Sequence, residues 1–200
     1  MKKQVLVIHG GDTFDTYEEY LVFLNDYEIN LEKSKIKRWK ETLAEKLGEN
    51  FDVISPKMPN SMNAKYKEWK IIFEKYFPYL SDNLILVGHS LGGTFVAKYL
   101  SENDFPKKIL ATFLVSACYD NEVSGYSLGD FSLPQSLEKL EKQGGKVFLI
   151  HSKDDKVVSF KDFEKYKKDL PMAETMIFED RGHFDQPEFP EVVGKIKEIV

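Results

Sequence analysis

Apolar positions along this chain fall into two periods that alternate from one end to the other. Val5–Ile8, Val53–Ser55, Leu84–Val87, Ile109–Val115 and Val147–Ile150 are short runs rich in β-branched and aliphatic residues, and Thr175–Phe178 is a weaker sixth. Most are continuous rather than alternating, as parallel strands covered on both faces read. Between them the period lengthens to that of a helix. Lys35–Leu47 carries Ile36, Trp39, Leu43 and Leu47 on one stripe, and Tyr66–Tyr79 carries Trp69, Ile72, Phe73, Tyr76 and Phe77. Leu91–Leu100, Leu137–Lys142, Phe160–Leu170 and Phe189–Val200 continue the series. Strand and helix in turn predict an α/β fold, a doubly wound, mainly parallel sheet of five to six strands with right-handed crossovers. Ligands of such sheets bind beyond the carboxyl ends of the strands.

One segment breaks the rhythm. Asp12–Ser34 holds Phe14, Tyr17, Tyr20, Leu21, Phe23, Leu24 and Tyr27, too many apolar residues for a free loop. An extra helical segment over about 12–34 is expected, capping the core in preference to lining a substrate pocket. The 200 residues otherwise read as one domain, 1–200, without repeats or linkers.

Composition narrows the function classes. The net charge is −5, with 28 Lys and Arg against 33 Asp and Glu scattered along the chain. No basic stripe suggests a nucleic-acid partner. The run after Lys2-Lys3 stops after four apolar residues, short of the roughly 7–15 of a signal h-region. Nothing approaches the roughly 20 residues of a membrane span. The single Cys118 has no internal disulfide partner and is expected reduced, in or near the core. A cytoplasmic location is expected. No His/Cys/Asp cluster has metal-ligand spacing, so no metal and no cofactor is expected.

The most informative stretch is Leu84-Ile85-Leu86-Val87-Gly88-His89-Ser90-Leu91-Gly92-Gly93. Gly-x-Ser-x-Gly alone is modest; here an apolar strand precedes it and a helical pattern (Phe95, Val96, Tyr99, Leu100) follows, the setting in which the serine sits on a strained turn with its hydroxyl exposed. Gly88 and Gly92 leave room where strand and helix converge, and Gly93 lets the helix pack closely. The competing reading is an ordinary glycine-rich turn with an incidental serine.

A serine hydroxyl needs a base, and the base an orienting acid. In this fold the acid and then the histidine follow the serine along the chain. Asp154 and Asp155 lie on the loop after Val147–Ile150. Asp155 is favoured because Val157 and Val158 follow it; Asp154 remains an alternative, and Asp120 a lesser one. His183, after Thr175–Phe178 and the turn at Gly182, is the candidate base. His89 adjoins the serine and should point elsewhere, His9 suits a loop-stabilising role, and His151 precedes the acid loop. An oxyanion hole would use the N–H of Leu91 and one from His9-Gly10-Gly11, with Gly11 favoured and Gly10 possible.

Taken together, His9-Gly10-Gly11, the Gly88–Gly93 elbow, Asp154-Asp155 with Val157-Val158, and Gly182-His183-Phe184 resemble the compact α/β-hydrolases related to retinoblastoma-binding protein 9, described as predicted esterases. The likeness extends to Lys57-Met58-Pro59 and Val115-Ser116-Ala117. It implies a fold without a large cap domain, serine hydrolysis of small esters through an acyl-enzyme, and a triad of Ser90, Asp155 and His183. Lys156 and Ser159 stand where relatives often carry proline, and the 12–34 segment is longer. A small-molecule ester is the expected partner, in a pocket lined by Asp12–Ser34 and by Tyr119–Leu133 with Tyr126 and Phe131, although most of those aromatics suit the core equally well. Thioesterase, peptidase and transacylase chemistry would use the same machinery, and a hydrolase-like binding or scaffold protein is the reading from another class.

Overall fold

The computed structural model describes residues 2–124 and 127–200. β1 (Lys3–Ile8) is followed by α1 (Tyr17–Asp26), α2 (Leu31–Lys35), α3 (Trp39–Leu47) and β2 (Phe51–Ile54). Next come α4 (Tyr66–Lys75), β3 (Leu84–His89), α5 (Leu91–Glu102), β4 (Ile109–Val115) and α6 (Asn121–Ser124). The chain closes with α7 (Glu138–Gln143), β5 (Lys146–Ser152), α8 (Phe160–Asp169), β6 (Glu174–Phe178) and α9 (Pro190–Glu198). The strands form one six-stranded sheet in the order β2-β1-β3-β4-β5-β6, and every neighbouring pair is parallel. The doubly wound sheet read from the apolar periods is thus the observed one.

Continuous apolar strands follow from burial on both faces. Each residue of β3 is buried, because β1 and β4 flank it edge to edge and helices cover both sides. On one face Leu6, Leu84 and Leu86 meet Trp69, Phe73, Phe95 and Tyr99. On the other, Val5, Val87, Phe113 and Phe148 meet Trp39 and Leu43 of α3 and Val192 and Ile196 of α9. Cys118 lies buried beside the first of these cores, where burial pushes its thiol up to about 12. Among the described residues no helix is long and apolar enough to cross a membrane.

Some boundaries differ from the apolar pattern. The expected helix over Lys35–Leu47 begins at Trp39, because Arg38 is extended and its N–H is taken by the Glu41 side chain at 2.8 Å. The helix from Tyr66 ends at Lys75, and a separate 3-10 turn follows at Phe77–Tyr79 with Pro78 inside it, since proline cannot donate to the preceding turn. Residues 12–34 carry α1 and α2, but α1 buries none of its side chains. Its aromatics instead pack on one another and on Phe14 just before it, whose ring lies 5.5 and 5.1 Å from those of Tyr20 and Phe23.

Winding reverses between β1 and β3: after β1 the chain adds β2 on one side, and after β3 it adds β4 to β6 on the other. The loops leaving adjacent carboxyl ends diverge there and open a crevice.

Candidate active site

At the carboxyl end of β3 the backbone turns sharply. Ser90 has φ 57° and ψ −129°, a conformation costing a non-glycine residue about 1–3 kcal/mol. The turn is held by the Ser90 N–H donating to the Val115 carbonyl at 2.9 Å, while the Ser90 carbonyl accepts from Gly93 at 2.8 Å. The surrounding glycines are steric necessities. A Cβ on Gly88 would sit 2.5 Å from the Gly92 carbonyl oxygen, one on Gly92 would strike the carbonyls of Ile8 and His9, and one on Gly93 would lie 2.7 Å from Ala117 Cβ.

The Asp155 carboxylate, buried in the loop after β5, has four donors. Oδ1 accepts from the N–H groups of Val157 and Val158 at 2.8 and 3.0 Å. Oδ2 accepts from Ser116 Oγ at 2.8 Å and from His183 Nδ1 at 2.9 Å. A carboxylate only accepts, so Nδ1 of His183 carries a proton, and Nε2 is the acceptor in the neutral ring. Burial alone would raise Asp155; the bond and charge of His183, with Val158 and Ser116, outweigh it and hold the carboxyl below its usual range. Asp154 instead takes the Ser152 hydroxyl at 2.5 Å and the Gly182 N–H at 2.8 Å, tying the loop after β5 to the turn that carries His183. Asp120 lies in an ion pair with Lys165. Of the three carboxylates considered, the structure joins only Asp155 to His183.

Ser90 and His183 open onto one cavity of about 840 Å³ that also meets Gly10 and Gly11. No hydrogen bond joins Ser90 Oγ to His183 among the described residues. A Cβ on Gly10 would lie 3.0 Å from Ser90 Cβ, whereas one on Gly11 would lie 2.6 Å from the Ser61 carbonyl. Gly11 is therefore small because of Ser61 and Trp69. Neither the Leu91 nor the Gly11 N–H is among the backbone donors occupied in turns and caps. His9 locks this loop, donating from Nδ1 to the Gly10 carbonyl at 2.6 Å while Nε2 accepts from the Met58 N–H at 2.9 Å.

A model of the serine hydrolase family matches residues 30–189, which contain Ser90, Asp155 and His183. The chain belongs to the serine hydrolase family. The serine hydrolase RBBP9 of Rattus norvegicus is 28% identical over 152 residues, 75% of this chain and 78% of that protein. The putative hydrolase YdeN of Bacillus subtilis is 26% identical over 196 residues, 94% of this chain and 89% of that one. The crystal structure of the B. subtilis ydeN gene product superposes with a TM-score of 0.73 at 20% identity, covering 99% and 98% of the two chains. The fold is that of the α/β-hydrolases.

The cavity of this serine hydrolase is not walled as the aromatic content suggested. Of residues 12–34 only Asp12 reaches it, and no described residue of 119–133 does; the walls come from Ile36, Arg38 and Lys40, from Val53 of β2 and from Ser55, Pro56 and Lys57 after it. Tyr126 lies outside the described residues. Phe131 is fully buried, its ring 5.2 Å from Trp69 and 5.7 Å from Tyr66, because burying a phenyl ring in the core outweighs leaving it at a wet rim. The crevice opens between β1 and β3, so the loops after β1 and β2 border it.

The contacts of three further residues were not legible in the sequence. Ser116, at φ 42°, supports Asp155 from the end of β4. His89, buried, donates from Nε2 to the His183 carbonyl at 2.7 Å, and Lys40 Nζ donates to His89 Nδ1 at 2.6 Å. Burial, then the charges of Lys40 and His183, hold His89 well below its ordinary value and thus neutral. A lysine among the other charged residues of an amphipathic helix carries no distinguishing signal, so the role of Lys40 was not legible. His89 was noticed only as a neighbour of the serine.

Proposed function

We propose that this serine hydrolase cleaves small carboxylic esters through an acyl-enzyme formed on Ser90, with His183 as base and Asp155 as the acid that orients it. The observation that carries the reading is the 2.9 Å bond from His183 Nδ1 to Asp155 Oδ2, which leaves Nε2 to accept a proton on the cavity that Ser90 also lines.

The Ser90 hydroxyl gives its proton to His183 Nε2 as Oγ attacks the ester carbonyl. The tetrahedral oxyanion takes hydrogen bonds from the Leu91 and Gly11 N–H groups, each worth about 3 kcal/mol in such sites. His183 then returns the proton to the leaving alcohol, giving the acyl-enzyme. Water, deprotonated by the same nitrogen, releases the acid and regenerates Ser90. Asp155 stays ionised throughout, in keeping with its depressed carboxyl, and stabilises the imidazolium.

Turnover of 4-nitrophenyl esters of increasing acyl length tests this. Hydrolysis is expected, and kcat is expected to fall by about 10³-fold or more in Ser90→Ala and His183→Ala, and by about 10³–10⁴-fold in Asp155→Asn. Undiminished turnover in Ser90→Ala would overturn the proposal.

A further inference from the structure

We infer that the cavity beside Ser90 accepts an ester bearing a carboxylate a few bonds from the scissile carbonyl, with Lys40 Nζ as that carboxylate's partner. The inference rests on the esterase reading and names the substrate class for the same site.

Lys40 lies in the first turn of α3 and lines the cavity shared by Ser90 and His183. Its Nζ donates one proton to His89 Nδ1 at 2.6 Å. That acceptor is a neutral imidazole, since the other ring nitrogen donates to the His183 carbonyl at 2.7 Å. Two ammonium protons remain, and among the described residues no carboxylate comes within the 4.0 Å of an ion pair with Nζ. Two nearby carboxylates are engaged otherwise. Asp185 holds the Arg38 guanidinium at 3.0 Å, and Glu41 takes the Arg38 N–H at 2.8 Å; Asp12 borders the cavity but forms no ion pair with Nζ among the described residues. Lys57 adds a second ammonium to the same wall, exposed to solvent.

Withdrawing a cation from water costs free energy unless a counter-charge replaces the lost hydration. A neutral imidazole does so only in part. Burial accordingly pulls Lys40 down to about 8, Asp185 and Glu41 pulling it up and Arg38 pushing it further down; the group is still mostly a cation at neutral pH. A substrate carboxylate supplies the missing partner through a charge-assisted bond. Lys40 and Ser90 line the same cavity of about 840 Å³, so a carboxylate held by Nζ shares that cavity with the scissile carbonyl at Ser90.

Two matched pairs test it: mono-4-nitrophenyl adipate against 4-nitrophenyl hexanoate, with charge on the acyl side, and 3-acetoxybenzoate against phenyl acetate, with charge on the alcohol side. Wild type is expected to favour the charged member of one pair by about tenfold or more in kcat/KM, chiefly through KM, as bonds to charged groups imply. Lys40→Met is expected to bring that ratio close to one and Lys40→Arg to restore part of it; a ratio stays readable when overall activity drops. In wild type alone, free adipate is expected to compete with the hexanoate ester while hexane-1,6-diol does not. No preference in either pair, or a preference that Lys40→Met keeps, overturns the inference. If no ester is cleaved and a fluorophosphonate leaves Ser90 unlabelled, the esterase reading itself falls, and this one with it.

Discussion

Two adjacent aspartates show how position within one loop divides labour. Asp155 points inward, its two oxygens filled by Val157, Val158, Ser116 and His183. Asp154 points across to Gly182 and Ser152 and holds the loop. On the proposed mechanism Asp155→Asn is expected to abolish most activity while Asp154→Asn loses under about tenfold, a contrast one bond's geometry predicts. Steady-state kcat on one ester checks it; equal losses would point to the wrong acid. Ser116→Ala removes one of the four donors and is expected to lower kcat about 3- to 30-fold with stability changed by about 1 kcal/mol. The pH dependence has a definite sign. A carboxyl depressed in the folded state contributes stability above its unfolded value near 4, and that contribution is lost as pH falls through the folded value. Urea midpoints of wild type and Asp155→Asn are therefore expected to converge below about pH 4.

At the scale of elements, β3, the elbow and α5 are one unit in which glycine acts by absence. Gly92 stands against the carbonyls of Ile8 and His9, whereas Gly194 in α9 has open space around it. Gly92→Ala is expected to cost about 3 kcal/mol or more, and Gly194→Ala to gain about 0.5–1 kcal/mol. Chemical denaturation of the two variants separates close packing from helix propensity. The elbow was legible in the sequence for this reason: strand, glycine spacing and helix are contiguous, and sterics leave one arrangement. The strands themselves were legible too, since each buried strand is a continuous apolar run. The cavity walls were not. Aromatics in 12–34 and at Phe131 resemble a pocket lining, but whether a ring faces the core or the crevice depends on tertiary placement. The cap of α1 was overlooked although Thr16 and Glu19 spell a capping box. Equally hidden was the hold of α3 on the loop bearing His183. Trp39 donates from its backbone to Gln186 at 3.0 Å and from Nε1 to Phe184 at 2.9 Å, and Thr42 Oγ reaches Pro187 at 3.0 Å. These bonds span about 145 positions in sequence, and no local pattern announces them.

The whole molecule gathers these parts where the winding of its sheet reverses. Loops after β1, β3, β5 and β6 and the start of α3 meet around one crevice, and the electrostatic cost of the site is expected to appear in global stability. Lys40 sits at about 8 in the folded chain, against about 10.4 for a free lysine. Between those values the unfolded chain binds more protons, so stability is expected to rise with pH by up to ~3 kcal/mol relative to Lys40→Met. Parallel stability curves for the two proteins from pH 7 to 10.5 would count against a desolvated, incompletely paired ammonium. The measurement nearest to the chemistry is covalent: reaction with a fluorophosphonate followed by peptide mass mapping. A single adduct on Ser90, absent in Ser90→Ala and formed far more slowly in His183→Ala, is the expected result. An unmodified Ser90, or an adduct formed as fast without His183, would contradict a serine activated by that histidine.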